Sequence, residues 1–286
     1  MSRNLRLYYY AFLGALGGLI GWRLSQSAGF MSGVPFFIAV LPLGALTGLS
    51  VGFILGLAEG ILSRSIIRGL RSGLIGGVIG LIAGAVALPL GEFVFQAAGG
   101  QVIGRALGWG VFGAIVGLAE GITGGSQMWK GAVGGFIGGI IGGLLLELAF
   151  AQLQNPLLGK VAGLMLLGGL IGVFTALIVV ALSHAWLEVT DGKLKGSEFI
   201  LDKFLGENAH AAFLGSNVMK SDIALPDPDV APQHARLKGA GTHFTLKDMS
   251  VGKGTFVNGR KIEMHRLSNG ERIRMGNTEL VYHEKR

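Results

Sequence analysis

Residues 52–60 read GFILGLAEG, and the same pattern returns 61 positions later, at residues 113–121, as GAIVGLAEG. Glycine at every fourth position of an apolar run places the glycines on one face of an α-helix. Lipid supplies no hydrophobic drive between helices, so small-residue faces that allow close backbone contact hold membrane helices together. The repeated stretch therefore predicts closely packed membrane helices of the glycine-zipper type.

Six apolar stretches of the chain have about the length that crosses a bilayer, roughly 20 residues. They are residues 7–24, 34–62, 73–95, 102–122, 131–153 and 161–182. Six such stretches in succession, with little charge between them, favour membrane spans over buried helices of a soluble domain.

A second pattern extends the repeat, because residues 69–80 return at 131–142. The second and third spans thus form one helical hairpin, and the fourth and fifth form another. The first and last spans carry related patterns at 14–21 and 168–172, so they form a third hairpin split between the two ends of the helical part. The glycines predicted to pack the helices are Gly52, Gly56, Gly76, Gly80, Gly113, Gly117, Gly138 and Gly142. Helices with two small faces also favour self-association into a homo-oligomer.

Composition divides the chain near residue 185. Nine of the 24 basic residues, four of the 17 acidic residues and 40 of the 51 glycines precede that point. The division predicts a transmembrane domain at 1–184 and a charged domain at 185–286, which excludes an ordinary soluble enzyme. The absence of cysteine excludes a disulfide-built or thiolate-metal protein. The charged domain holds 15 basic and 13 acidic residues, a balance that argues against a nucleic-acid partner.

Loop charges predict the orientation of the helical part in a cell membrane. The basic residues on one side of the spans are Arg3, Arg6, Arg64, Arg68, Arg71 and Lys130, and those on the other side are Arg23, Arg105 and Lys160. Because basic loops stay in the cytoplasm, both termini are expected to be cytoplasmic.

Two acidic residues, Glu59 and Glu120, occupy equivalent positions of the repeat near the cytoplasmic ends of their spans. One interpretation is structural, since each could reach the interface or pair with Arg64 and Arg68. The alternative is functional, because an ionisable group inside a membrane marks an ion or proton path by default. No other polar groups converge at the midplane, which such a path would need.

After residue 185 the sequence changes to short β-rich runs separated by turn signals about ten residues apart. The runs are 186–190, 198–201, 211–214, 235–237, 243–246, 255–257, 272–275 and 279–282. This pattern predicts an all-β sandwich of about 100 residues.

The order and spacing of motifs in this part resemble a forkhead-associated (FHA) domain. The matching residues are Leu214-Gly215, Ser221 to Pro228, His234 to Leu237, Leu246-Lys247-Asp248, the run GTFVNG at 254–259, and Asn269-Gly270-Glu271 with Met275-Gly276. The resemblance implies an eleven-stranded sandwich that binds phosphothreonine peptides through loops at one end, by charge-assisted hydrogen bonds. The helical part resembles no family that we recognise.

The phosphate-contacting positions implied by this resemblance are altered. Ser216 stands where the family has arginine, Ala231 where it has serine, and Gly252-Lys253 where it has Ser or Thr with Asn. A hydrogen bond to a charged group contributes about 1.5–3 kcal/mol, so losing the arginine alone should weaken binding about 10- to 100-fold. The peptide-binding positions of this degenerate site are Ser216, Asn217, Lys220, Ala231, His234, Gly252, Lys253 and Asn258.

Two of these positions have specific expected roles. The resemblance implies that His234 braces the binding loops and performs no chemistry. Lys220 and Lys253 could replace the missing cation around Ser216 and Asn217, although lysine lacks the planar fork of arginine.

The sequence predicts a multi-pass membrane protein that presents a cytoplasmic FHA-like module as a scaffold or regulatory anchor. We expect no enzymatic activity, cofactor or metal. The expected partner of the FHA-like module is a protein, and the second candidate is a phosphothreonine peptide. The alternative is a channel or transporter whose bundle the FHA-like domain regulates.

Overall fold

A computed structural model describes residues 3–28, 36–63, 66–100, 102–122, 128–153, 155–205, 209–241 and 243–285. Six helices come first. They are α1 (Arg3–Ala28), α2 (Phe36–Ser63), α3 (Ile66–Ala97), α4 (Val102–Ile122), α5 (Met128–Gln152) and α6 (Pro156–Ala181).

Four of these helices are long and apolar enough to cross a membrane, namely α2, α3, α5 and α6. The apolar part of α4, Val102–Leu118, is shorter. The start of α6 is well specified, because the Asn155 side chain accepts hydrogen bonds from the amides of Leu157 and Leu158 at 3.0 and 3.3 Å. Pro156 follows at the first helical position, where no amide hydrogen is needed.

Backbone contacts between glycines join the neighbouring helices. An added Cβ would overlap a carbonyl oxygen across the interface at Gly52 (with Gly76), Gly80 (with Gly48), Gly113 (with Gly135), Gly117 (with Gly131) and Gly14 (with Gly168). The first two pairs join α2 to α3, the next two join α4 to α5, and the last joins α1 to α6. Only glycine permits such an approach, which is why these helices are rich in it.

The α2–α3 and α4–α5 pairs use different glycines. By the sequence pattern Gly138 and Gly142 correspond to Gly76 and Gly80, which face α2. In the structure Gly138 and Gly142 face α6 instead, and a Cβ at Gly142 would lie 2.8 Å from the Cα of Leu167. Gly113 and Gly117 of α4 instead contact Gly135 and Gly131, which lie on a second glycine face of α5. Helix α5 has two such faces because its glycines occur in adjacent pairs.

The described residues from 185 to 285 form a two-sheet β-sandwich of eleven strands. They are β1 (Ala185–Asp191), β2 (Glu198–Ile200), β3 (Ala212–Gly215), β4 (Ile223–Ala224), β5 (Ala235–Ala240), β6 (His243–Asp248), β7 (Thr255–Val257), β8 (Arg260–Ile262), β9 (Met264–Arg266), β10 (Arg272–Met275) and β11 (Thr278–Glu284). The first sheet has the order β2-β1-β11-β10-β7-β8, and the second has the order β4-β3-β5-β6-β9.

Alternating side chains from both sheets fill the space between them. Leu187, Leu214, Leu237, Phe244 and Tyr282 are among those that are completely buried. Each of the eight runs that the sequence predicts as strands overlaps a strand, and only residues 201 and 211 at the run ends lie outside one. The sequence misses β4, β8 and β9, which are only two or three residues long.

The helical bundle and the sandwich contact each other at the α6–β1 junction. Lys130, which the sequence places in a loop between spans, lies in the first turn of α5 and is buried. Its Nζ donates to the carbonyl of Leu182 at 2.6 Å and to Asp202 of the sandwich. Lys285 Nζ donates to the carbonyl of Ala181 at 2.8 Å. The sandwich therefore packs against the end of the bundle where α5 begins and α6 ends.

Candidate peptide-binding site of the sandwich

A buried histidine joins two loops at the end of the sandwich remote from the bundle. His234 is fully buried at the start of β5. Its Nδ1 accepts a hydrogen bond from the Ala231 amide at 3.0 Å, and its Nε2 lies 3.1 Å from the carbonyl oxygen of Gly254. Because an amide only donates and a carbonyl only accepts, the ring is neutral with its proton on Nε2. His234 thus ties the loop before β5 to the loop before β7.

The loop between β6 and β7 is held by a carboxylate. Asp248 Oδ1 accepts from the hydroxyl groups of Ser250 and Thr255 at 2.9 and 2.8 Å. The Ser250 hydroxyl in turn accepts from the Gly254 amide at 2.7 Å. Burial disfavours the Asp248 charge, but these hydrogen bonds outweigh it and hold the pKa of Asp248 below its ordinary value. Gly252 and Gly254 have positive φ angles of 83° and 78°, which favour glycine.

The loop after β3 is shaped by Asn217. Its side-chain oxygen accepts from the amides of Met219 and Lys220 at 2.8 and 3.2 Å, forming a local turn. The amide of Ser216 donates to the carbonyl of Ala231 at 3.0 Å, which brings this loop against the loop before β5. The side-chain oxygen of Asn217 therefore stabilises the loop through these two amides and does not face a ligand.

The two candidate replacement cations lie in these loops. Lys253 Nζ donates to the carbonyl of Pro228 at 2.8 Å, so the lysine bridges two loops. Lys220 is exposed beside Asn217. Val251, at the tip of the β6–β7 loop, is 97% exposed. The loop end therefore offers lysines and an apolar tip in place of a phosphate-binding arginine.

The structure brings seven of the eight predicted positions together at the loop end and separates one. Asn258 lies at the other end of β7, in the turn before β8, with a positive φ of 51°. Its side chain accepts from the Arg272 amide at 3.0 Å and donates to Glu271 at 3.3 Å. Asn258 therefore stabilises a hairpin away from the peptide-binding loops.

Two carboxylates that hold the loops, Asp227 and Asp248, were not predicted as site residues from the sequence. Asp227 accepts from the Asp229 and Asn277 amides at 2.9 and 2.8 Å and from the Thr278 hydroxyl at 3.0 Å. Burial opposes its ionisation, yet these hydrogen bonds keep the pKa of Asp227 below its ordinary value. The sequence showed Asp227 only as part of a Pro-Asp-Pro turn, and Asp248 only as part of a family motif.

The side chains of Glu59 and Glu120 lie outside the part of the chain that the structure describes. Of the other two acidic residues in the bundle, Glu147 pairs with Arg105 at 3.4 Å, and Glu92 accepts from Gln96 at 3.2 Å. The bundle contains a cavity of about 170 Å³, lined mainly by apolar side chains that include Trp22, Trp109 and Phe150, with Lys160 as the one charged residue. Within the described residues, no group of three His, Asp or Glu side chains could hold a metal ion.

The C-terminal part is thus a two-sheet β-sandwich whose loops at one end are joined by a buried histidine. Residues 213–276 match the family model of the FHA domain, and the C-terminal part of this chain is an FHA domain. FHA domains bind phosphothreonine peptides or proteins. No family model matches the N-terminal region.

Curated relatives match this domain over 98 residues, or 34% of the chain. The glycogen accumulation regulator GarA of Mycobacterium tuberculosis is 31% identical and is covered over 56% of its length. The oxoglutarate dehydrogenase inhibitor of Corynebacterium jeikeium is 34% identical and is covered over 63%. The chain thus spans only part of each relative, of which one is named a regulator and the other an inhibitor.

Among solved structures, the FHA domain of the CT664 protein from Chlamydia trachomatis is 28% identical. The match covers 36% of this chain and 100% of that one, with a TM-score of 0.33.

Proposed function

We propose that this protein is a multi-pass membrane protein whose FHA domain is a recognition module on the cytoplasmic face, acting as a scaffold or regulatory anchor. The four long apolar helices support the membrane location. The contacts of Lys130 and Lys285 with the α6–β1 junction support a module held against the bundle rather than on a free tether.

The proposed topology has six spans in three hairpins, with both termini in the cytoplasm. Packing of α1 on α6, through Gly14 and Gly168, supports a third hairpin formed by the two ends of the helical part. Arg71 and Lys130 lie at the bundle end that carries the sandwich, whereas Arg23, Arg105 and Lys160 lie at the other. A cytoplasmic sandwich agrees with this excess of basic residues.

One observation carries the proposal about recognition: the framework of the loop end is intact, while the residues that would contact a phosphate are replaced. His234 still joins the Ala231 and Gly254 loops by two hydrogen bonds. Ser216 and Ala231 offer no cation and no side-chain hydroxyl, respectively, at the positions of the family arginine and serine. Lys253 supplies an ammonium group, but that group donates to Pro228.

The free energies of the missing hydrogen bonds favour a partner whose binding does not depend on phosphothreonine. Three charge-assisted hydrogen bonds at about 1.5–3 kcal/mol each would account for most of a micromolar affinity, which corresponds to roughly 8 kcal/mol. Lysine, a flexible point charge, replaces little of this, because a bidentate contact with phosphate needs the guanidinium fork. We infer that the domain recognises a protein surface through the remaining loop features.

Restoring the three positions tests this proposal. Full-length protein in nanodiscs would carry Ser216→Arg, Ala231→Ser and Lys253→Asn together, and would be titrated with matched Thr and phosphothreonine peptides. The restored variant is expected to bind the phosphorylated peptides selectively, and the wild type is not. Ser268→Arg, which places an arginine at the exposed β9–β10 turn away from the loop end, is the control for the new guanidinium group. A folded triple variant without phosphate-dependent binding would contradict the account, as would equal binding by the wild type.

A further inference from the structure

The outer face of the second sheet carries a cluster of basic side chains. Because residues directly opposite each other on neighbouring strands project to the same side, the strand register defines this face. One row crosses four strands as Phe213, Arg236, Lys247 and Met264. The next row contains Lys238, Thr245 and Arg266. We call the surface formed by these seven residues the basic face.

The four cations of the basic face are exposed, and none of them takes part in the ion pairs between residues that the structure describes. Arg236 and Lys247 lie directly opposite each other. Like charges in such a pair destabilise a sheet. An ion pair between His243 and Glu284, at 3.4 Å, lies at the margin toward the bundle. The basic face therefore carries an unfavourable charge arrangement that the fold itself does not relieve.

The first sheet of the same domain shows the opposite arrangement. There Arg274 lies opposite Glu279 and 4.3 Å above the ring of Phe256. His283 pairs with Glu188 at 3.0 Å across β1 and β11. Acidic residues thus lie beside basic ones on the first sheet, whereas the seven residues of the basic face include four cations and no acidic residue.

Apolar side chains flank the central cations. Met264 is 68% exposed at one edge of the first row, and Phe213 is half-buried at the other. We propose that the basic face docks an acidic protein segment, with its carboxylates opposite the four cations and an apolar side chain against Met264. The proposal concerns a different surface from the loop end, so it stands or falls independently of phosphothreonine recognition.

The positions of the cations favour a protein segment over a lipid surface. Strand β5 runs from the loop end at Ala235 toward the bundle at Ala240. Arg236 and its neighbour Lys247 therefore lie in the half of the face that is farther from the bundle. Attraction to anionic lipid falls off within about a Debye length of the membrane surface, roughly 8–10 Å, so a membrane-binding face would concentrate its charge at the near end.

Binding of an acidic peptide to the full-length protein tests the proposal. The protein would be reconstituted in phosphatidylcholine nanodiscs and titrated with a fluorescent peptide that alternates glutamate and valine. A peptide with glutamine in place of glutamate is the ligand control. The glutamate peptide is expected to bind, and the glutamine peptide is not. Arg236→Glu with Lys247→Glu is expected to weaken binding by about tenfold or more, because each new charge repels the ligand.

Two matched variants complete the design. Arg260→Glu with Arg272→Glu makes the same change of charge on the first sheet, and binding is expected to stay within about twofold of the wild type. Arg236→Gln with Lys247→Gln removes the charges without reversal and should give an intermediate loss. Equal binding of the two peptides, or equal loss in the two reversed variants, would overturn the proposal.

A fluorophore distinguishes the lipid alternative. The chain has no cysteine, so Lys238→Cys can carry one environment-sensitive label in full-length protein. Its emission is expected to be the same in phosphatidylcholine and phosphatidylglycerol nanodiscs and to change only with the glutamate peptide. A blue shift in phosphatidylglycerol alone would assign the basic face to the membrane and overturn the proposal.

Discussion

Lys130 of the helical bundle and Asp202 of the FHA domain form a buried ion pair, with 2.7 Å between Nζ and Oδ2 and side chains that are 5% and 4% exposed. Asp202 also accepts hydrogen bonds from the amides of His184 and Ala185 at 2.9 and 3.0 Å. One carboxylate therefore joins the start of α5 to the segment that connects α6 with β1. Breaking a buried pair leaves an uncompensated charge, so this contact constrains how the domain sits on the bundle.

Lys130→Gln is expected to destabilise the junction by about 3–5 kcal/mol, because Asp202 would stay buried without its cation. Limited proteolysis near residues 182–185 and the thermal midpoint of the full chain measure the effect. Lys130→Gln with Asp202→Asn gives a neutral, hydrogen-bonding pair and should recover most of the loss. A single variant as resistant and as stable as the wild type would show that the pair does not hold the junction.

Gly52→Ala is expected to destabilise the contact between α2 and α3 by about 1–3 kcal/mol. The new Cβ would overlap the carbonyl oxygen of Gly76, so the backbones must separate. Gly169→Ala is the control, because there the nearest atom lies 3.3 Å from the new Cβ. Thermal unfolding in detergent compares the two variants, and an equal effect of both would argue against backbone packing as the source of stability.

The Asp248 network makes the stability of the FHA domain depend on pH. Since the folded pKa lies below the ordinary value of 3.8, ionised Asp248 stabilises the fold above about pH 4, and the contribution is lost as pH falls through the folded pKa. Asp248→Asn should therefore lower the unfolding midpoint at pH 7, and its difference from the wild type should shrink as pH falls below 3.8 and through the folded pKa. Ser250→Ala should give a partial effect. Calorimetry would contradict this account if the Asp248→Asn difference were independent of pH.

Labelling of single cysteines tests the topology. Arg71 and Gln26 are exposed near opposite ends of the bundle. Arg71→Cys is expected to react with a membrane-impermeant maleimide from the cytoplasmic side, and Gln26→Cys from the other side. The reverse pattern would invert the proposed orientation.

The sequence predicted those features that depend on local pattern. The four-residue glycine spacing at Gly52 and Gly113 indicated backbone packing, and alternating apolar residues gave eight strands of the sandwich. The GTFVNG run and His234 indicated the FHA domain from the sequence. The run includes the turn between β7 and β8, and His234 joins the loops before β5 and β7 by hydrogen bonds.

Features that depend on distant residues were not predictable in this way. Lys130 and Asp202 are separated by 72 positions, and nothing near either one indicates that it is buried. Asn258 belongs to the same short motif as Gly254, but an intervening strand carries it to the far end of the domain. Whether Gly138 faces α4 or α6 depends on how α4, α5 and α6 pack together.

We propose that this FHA domain keeps the recognition framework and has lost selection for phosphothreonine. The decisive experiment is calorimetric titration of the full-length protein with a phosphothreonine peptide library, before and after phosphatase treatment of the peptides. We predict no micromolar binding that depends on the phosphate. Micromolar binding that disappears on dephosphorylation would contradict the claim and would show that Lys220 or Lys253 replaces the missing arginine.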